Sequence, residues 1–178
     1  MSDLTLMLQQ IEDIRKKERL LSVSRNAHGN LAIKPLPAKV AGMYWLYTNY
    51  TIEDLKNCTV STDIGAIPIA HIANLHKNLP HVSKIEIGGF QLVYNGITGT
   101  GLGLRGRVHQ HFNGGNGTGC LSITKSLVNN LDRWRVSYVT LDPKSNTSHN
   151  IKFDYSLYAK DLERMWRLTY GWPLLCRT

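Results

Sequence analysis

The stretch FQLVYNGITGTGLGLRGRVHQHF, residues 90–112, decides the fold. Aromatic or apolar side chains at every second position predict a strand over 90–95. The strand breaks at Gly96, where a glycine-rich loop begins. The chain after the loop is basic and is predicted to form a short helix over 104–112. A strand, a flexible turn and a basic helix therefore follow one another within a short length of chain.

Three polar side chains in this stretch are candidates for a phosphate site. Tyr94 ends the strand, and Arg107 and His111 are four residues apart, so they share one face of the predicted helix. A guanidinium group matches the geometry of phosphate oxygens and binds them through paired hydrogen bonds. The arrangement indicates a site for a phosphate group.

Outward from this stretch, the pattern predicts two more strands and two more helices. The alternating aromatic run GMYWLYT predicts a strand over 42–48, and WRVSYVT predicts one over 133–141. Apolar stripes of helical period predict helices over 3–21 and 156–170. We therefore expect an α+β fold with a small mixed or antiparallel sheet of about three strands flanked by helices. The strands over 42–48 and 90–95 are expected to pair antiparallel and to bring Tyr44 and Tyr94 to one pocket.

The remaining segments are predicted to connect these elements within one domain, residues 1–178. Residues 22–41 are expected to be a loop with an extended piece, and residues 49–89 to be an insertion in the core. Within the insertion the pattern predicts a helix over 68–79 and a short strand over 84–87. After the loop NGGNGTG at 113–119, residues 121–131 are expected to be helical.

The composition favours a polyanionic partner. The 21 lysines and arginines exceed the 13 acidic residues and give a net charge of +8. This balance favours nucleic acid over a membrane surface, and the remaining alternative is a basic surface that serves solubility. No apolar run reaches the length that spans a membrane. Three widely spaced cysteines and the absence of a signal peptide favour a reducing, cytoplasmic location.

Two other functional patterns are weak. A literal GxGxxG begins at Gly101, but strand and helix do not alternate along the rest of the chain as a dinucleotide-binding fold requires. His71, His76 and His81 are five residues apart, a spacing that does not stack on one helical face, so a metal site there is not predicted.

Short motifs in a fixed order resemble the GIY-YIG nuclease family. Gly42-Met43-Tyr44 stands where the family has GIY, and Tyr94-Asn95-Gly96 stands where it has YIG. Arg107 and His111 match the Arg-x3-His form of the family's restriction endonucleases. Leu162-Glu163 and the later Tyr170-Gly-Trp-Pro173 resemble the final segment, which carries the metal-binding glutamate.

The resemblance implies a site-specific DNA endonuclease, similar to a type II restriction enzyme, from a bacterium or a phage-infected cell. Its substrate would be double-stranded DNA, and a palindromic target would call for a homodimer. Glu163 would hold a divalent cation, for which we expect Mg²⁺, and Arg107 would bind the scissile phosphate. Tyr44 or Tyr94 would position or deprotonate the attacking water, with His111 as a relay.

Two departures from the family pattern leave alternatives open. Tyr44 and Tyr94 are separated by 49 residues in place of a short hairpin loop, and the asparagine expected after the proline is replaced, most simply by Cys176. Each tyrosine could be an ordinary strand aromatic. Glu163 could serve no purpose beyond an ion pair with Arg167 on an exposed helix. The alternatives for function are a non-catalytic nucleic-acid-binding module that keeps the fold, and a homing or repair nuclease.

Overall fold

The computed structural model describes residues 3–59, 61–141 and 155–177. Along these residues the chain forms five α-helices and seven β-strands. In chain order they are α1 (Asp3–Lys17), β1 (Leu21–Ser22), β2 (Ser24–Arg25), β3 (Leu31–Ala32), β4 (Gly42–Thr48), α2 (Ile52–Lys56), α3 (Ile69–His76), β5 (Glu86–Ile87), β6 (Phe90–Thr98), α4 (Gly103–Asn113), β7 (Trp134–Thr140) and α5 (Tyr155–Tyr170).

The main sheet has five strands in the order β1-β7-β4-β6-β5, and every neighbouring pair is antiparallel. The α+β class and the antiparallel pairing of β4 with β6 are confirmed. The expectation of about three strands, in a mixed or antiparallel sheet, is corrected to five antiparallel strands. The three long strands were predicted, whereas β1 and the edge strand β5 have only two residues each. A two-residue strand is too short to show alternation, so its pairing is decided by its neighbour.

Both faces of the central strand are covered, and all seven residues of β4 are buried. Met43, Trp45 and Tyr47 pack on the face that α1 and α5 cover. Tyr44 and Leu46 pack on the opposite face, in the cluster that contains the apolar side chains of α4. The alternation of β4 therefore aims Tyr44 toward the basic helix.

A β-bulge lies where β6 passes β4. Leu46 is paired with Tyr94 and Tyr47 with Leu92, so Val93 is the extra residue. The carbonyl oxygen of Val93 accepts a hydrogen bond from the backbone N–H of Leu175 at 2.8 Å. The bulge thus attaches the C-terminal segment to the strand that carries Tyr94.

A buried polar network joins α1 to the sheet and to α5. Arg15 donates to both carboxylate oxygens of Glu12, at 2.7 and 2.6 Å, and to the hydroxyl of Tyr47 at 2.9 Å. The indole N–H of Trp166 donates to Glu12 at 3.1 Å. A buried ion pair is stable only when its remaining polar atoms are hydrogen-bonded, and here Tyr47 and Trp166 supply those bonds. The network therefore joins α5 and α1 to the sheet.

Several local expectations are corrected. Helix α1 ends at Lys17, before the predicted residue 21, because the next residues pair with β7 as strand β1. Residues 121–131 contain one short 3₁₀ turn, Ile123–Lys125, in place of a helix, and a second 3₁₀ turn, Leu131–Arg133, begins at their end. Ser122 has a left-handed backbone with φ of 51°. The helix predicted over 68–79 is α3, Ile69–His76, and the strand predicted over 84–87 is β5. No helix in the described part of the chain has the length and apolarity needed to cross a membrane.

Candidate active site

A cleft of about 260 Å³ lies where β6 approaches α4 and α5. Two phenol groups, three guanidinium groups and one carboxylate reach it, from Tyr44, Tyr94, Arg107, Arg167, Arg177 and Glu163. A larger groove of about 980 Å³ lies beside β1 and the β2–β3 hairpin, but it contains none of the predicted site residues. We therefore place the candidate active site in the smaller cleft.

Close packing explains the glycines of both tyrosine motifs. A Cβ atom on Gly96, which is paired with Tyr44 across the sheet, would overlap the Tyr44 hydroxyl and lie 2.6 Å from its Cζ atom. A Cβ atom on Gly42 would lie 2.7 Å from Leu104 and 2.5 Å from the carbonyl oxygen of Val139. Gly96 thus leaves the space that the Tyr44 ring occupies, and Gly42 lets α4 pack against the sheet.

We expect Gly96→Ala to lower the free energy of unfolding by about 1–3 kcal/mol, the usual result of adding a methyl group to a filled core. The new methyl group must also displace the Tyr44 ring. Gly101→Ala is the matched control, because a Cβ atom there meets no other atom within 4 Å. Chemical denaturation of both variants measures the difference, and equal stabilities would show that the space beside Tyr44 is not filled.

His111 lies behind Tyr44, outside the lining of the cleft, and is fully buried. Its Nε2 atom is 2.8 Å from the Tyr44 hydroxyl oxygen, and its Nδ1 atom is 3.3 Å from the backbone nitrogen of Leu121. A backbone N–H can only donate, so Nδ1 accepts and we assign the ring proton to Nε2. Burial, assisted by the charge of Arg107, holds the pKa of His111 well below its usual value. The neutral imidazole therefore donates to Tyr44 and orients the phenol.

Tyr44 and Tyr94 lie side by side on the cleft wall, with ring centroids 6.4 Å apart and planes inclined by 27°. Burial raises the pKa of Tyr44 well above its usual value of 10, and the neighbouring Tyr94 raises it further. Burial likewise raises the pKa of Tyr94. Both phenols therefore keep their protons near neutral pH and can act as hydrogen-bond donors.

The guanidinium group of Arg107 is held by the loop that follows α4. Nη1 donates to the Gln110 side chain at 3.0 Å and to the carbonyl oxygen of Thr118 at 2.7 Å. Nη2 donates to the carbonyl oxygen of Gly119 at 3.3 Å. Because two of the three acceptors, Thr118 and Gly119, belong to the loop after α4, the orientation of Arg107 depends on that loop.

Glu163 is both a cleft residue and an ion-pair partner. Its side chain is 21% exposed and accepts from Nη2 of Arg167 at 2.6 Å. Burial raises the pKa of Glu163, and the charges of Arg167 and Arg107 oppose that shift. The pair with Arg167 that helical spacing predicts is present, but it lies in the cleft beside Arg107 and not on an exposed helix.

Cys176 stands where the GIY-YIG pattern has an asparagine, but the side-chain amide of Asn95 lies next to its sulfur. The side-chain oxygen of Asn95 is 3.2 Å from the sulfur of Cys176 and accepts from Nε of Arg167 at 2.8 Å. Both residues are fully buried, and burial raises the pKa of the Cys176 thiol to about 12. The side-chain amide of Asn95, on β6, thus positions Arg167, the ion-pair partner of Glu163.

Sequence reasoning did not single out four residues of this region, Ile67, Asn95, Arg167 and Arg177, as functional. Arg167 had a signal, its spacing of four from Glu163, which was interpreted only as a surface pair. Asn95 had one too, since it is the middle residue of Tyr94-Asn95-Gly96. Ile67 and Arg177 had none, because they reach the cleft only through the folding of distant segments.

The carboxylate of Glu163 is the candidate metal ligand of the cleft. Within residues 3–59, 61–141 and 155–177, no group of three or more His, Cys, Asp or Glu side chains could hold a metal ion. Zinc sites use three or four such ligands, whereas the described residues that line the cleft include one, Glu163. Mg²⁺ keeps several waters and often uses one or two carboxylates together with substrate phosphates. A single carboxylate, that of Glu163, is compatible with a hydrated Mg²⁺ whose coordination a phosphate completes.

Comparisons of the chain with protein-family models, with curated proteins and with solved structures find no match.

Proposed function

We propose that this protein is a metal-dependent DNA endonuclease that hydrolyses phosphodiester bonds at specific sites in double-stranded DNA, as GIY-YIG restriction endonucleases do. One observation carries the proposal: Tyr44, Tyr94, Arg107 and Glu163, from four different elements, line the same cleft. Hydrolysis of a phosphodiester needs a held water, neutralisation of the phosphoryl oxygens and help for the leaving oxygen. The cleft offers phenol groups that can hold a water, guanidinium groups for the phosphoryl oxygens and a carboxylate for a cation.

Arg107 supplies the first positive charge for the phosphoryl oxygens. A guanidinium group binds two oxygens of a phosphate at once, and its anchoring by Thr118 and Gly119 fixes its direction before substrate arrives. Donors that are fixed in advance stabilise a transition state without the cost of reorganisation. Arg167 and Arg177 add positive charge to the same cleft, which favours binding of the flanking phosphates.

Tyr44 and Tyr94 hold the attacking water by hydrogen bonds. Because His111 donates to the Tyr44 hydroxyl oxygen, the O–H of Tyr44 is left to point into the cleft. Glu163 would hold the divalent cation through the carboxylate oxygen that Arg167 does not use. When bound, Mg²⁺ neutralises phosphoryl charge and lowers the pKa of the water that it coordinates.

One contact favours a second candidate, a module that binds nucleic acid without cleaving it. Arg167 already occupies Oε1 of Glu163 at 2.6 Å, and a carboxylate held in this way competes less well for a cation. In that case the three arginines of the cleft would bind phosphate without hydrolysis.

Incubation of supercoiled plasmid with the protein, in Mg²⁺ and in EDTA, tests the proposal. We expect discrete linear fragments in Mg²⁺ and intact plasmid in EDTA. Intact plasmid in both, with retained DNA binding, would favour the binding module. Sedimentation of the protein bound to DNA that contains its target site tests for a homodimer, which we expect if the target is palindromic.

We expect DNA binding to weaken steeply as salt rises, because each phosphate contact releases a counterion. With three cleft arginines on phosphates, the slope of log K against log salt should be about −3 or steeper. Removal of the exposed Arg177 in Arg177→Ala should reduce that slope by about 1. Fluorescence anisotropy in Ca²⁺, over a series of salt concentrations, measures both slopes. A DNA affinity that does not change with salt would show that the net positive charge does not serve phosphate binding.

A further inference from the structure

Asp63, in the insertion of residues 49–89, is hydrogen-bonded to the chain that follows α4. The carboxylate of Asp63 is 9% exposed and accepts three hydrogen bonds. The donors are Gly115 N–H at 3.1 Å, the Ser122 hydroxyl at 2.7 Å and the Lys125 ammonium at 2.6 Å. The Lys125 ammonium and the Ser122 hydroxyl hold the pKa of Asp63 below its usual range. Asp63 is thus an ionised anchor between the insertion and the chain after α4.

Backbone contacts continue this attachment along residues 63–67. Gly117 N–H donates to the carbonyl oxygen of Ile64 at 2.7 Å, and Ile67 N–H donates to that of Cys120 at 2.7 Å. The Asn116 side chain accepts from Ile64 N–H at 3.1 Å. The insertion segment therefore runs beside residues 113–119, which we name the glycine loop, and fastens it at several points.

The glycine loop needs such support. Four of its seven residues are glycine and none has an apolar side chain to bury. Glycine loses the most conformational freedom on ordering, so a loop of this composition is not ordered by its own contacts. The Thr118 hydroxyl donates to the carbonyl oxygen of Gly115 at 2.7 Å. Gly115 is the residue that Asp63 binds, and Thr118 is a residue that binds Arg107, so this hydrogen bond connects the two contacts.

We propose that Asp63 is a positioning residue for Arg107, and that the insertion thereby forms part of the catalytic apparatus. The contacts run from Asp63 to Gly115, through Thr118, to the guanidinium group. Ile67, four residues beyond Asp63, lines the same cleft. This inference rests on the proposed nuclease function, because it concerns the rate at which Arg107 promotes cleavage.

The substitution Asp63→Asn tests it, since the amide keeps the shape of the side chain but replaces one acceptor by a donor that faces the Lys125 ammonium. We expect kcat for plasmid cleavage to fall by roughly tenfold to a hundredfold, as misplacement of a catalytic group by about 1 Å does, while KM stays within about threefold. The control is Glu53→Gln, an exposed carboxylate of the same insertion whose partner is Lys56. The control should cleave at the wild-type rate.

A double variant separates positioning from general loss of structure. If Asp63 acts through Arg107, Asp63→Asn should change the single-turnover rate of Arg107→Ala by less than about twofold, because residues that act as a unit are not additive. An undiminished kcat in Asp63→Asn, or a further tenfold loss in the double variant, would overturn the inference while leaving the proposed function in place. A wild-type protein that does not cleave would remove the proposed function, and the inference with it.

Discussion

Glu163→Gln is expected to abolish plasmid cleavage while leaving DNA binding close to that of the wild-type protein. Glu163 is the one carboxylate among the described residues that line the cleft, and a hard divalent cation needs charged oxygen. The amide keeps the shape of the side chain and removes its charge. A metal ion contributes several kcal/mol of transition-state stabilisation, so the rate should fall by more than about 100-fold. Cleavage in Mg²⁺ and DNA binding measured in parallel give both readouts.

Asp161→Asn is the matched control for this experiment. Asp161 lies on the same helix, two residues earlier, and is exposed. Its variant should retain wild-type cleavage. If Glu163→Gln also retained it, the carboxylate would serve only its ion pair with Arg167, and the variant would lose stability and no activity. That outcome would refute the assignment of Glu163 as the metal ligand.

Arg107→Ala is expected to lower kcat by roughly 10²–10³-fold, which corresponds to about 3–4 kcal/mol, the usual effect of losing a transition-state charge donor. The effect should fall mainly on kcat, because the charge of a phosphodiester increases at the reacting phosphate only in the transition state. Arg107→Lys should recover only part of the rate, since an ammonium cannot bind the phosphate and both Thr118 and Gly119 in the same way.

Arg164→Ala controls for the removal of one positive charge. Arg164 is exposed on α5 beside Glu163 and does not line the cleft. Single-turnover cleavage with enzyme in excess can follow all three variants. Equal losses in Arg107→Ala and Arg164→Ala would mean that the net charge of the protein matters and the position of Arg107 does not.

The sequence by itself determined the elements that carry a repeating pattern. Alternation over 42–48 and 90–95 located β4 and β6, and a helical stripe located α5. These signals are local, because a strand or helix with one buried face repeats its apolar residues with its own period. Gly96 in the Tyr94-Asn95-Gly96 motif was also recognisable, although only the position of the Tyr44 ring explains why no side chain fits there.

Only the tertiary structure decided which distant groups meet. The contact of Asn95 with Cys176 joins residues 81 positions apart, and that of Asp63 with Lys125 joins residues 62 positions apart. The two-residue strands β1 and β5 exist because a longer neighbour offers them hydrogen bonds. No periodicity in the chain encodes such contacts, since they depend on how the elements pack and on which side chains then share a cleft. The sequence could therefore name Tyr44, Tyr94, Arg107, His111 and Glu163 as candidates, but packing decided that His111 stands behind Tyr44 and that residues of the insertion hold the loop of Arg107.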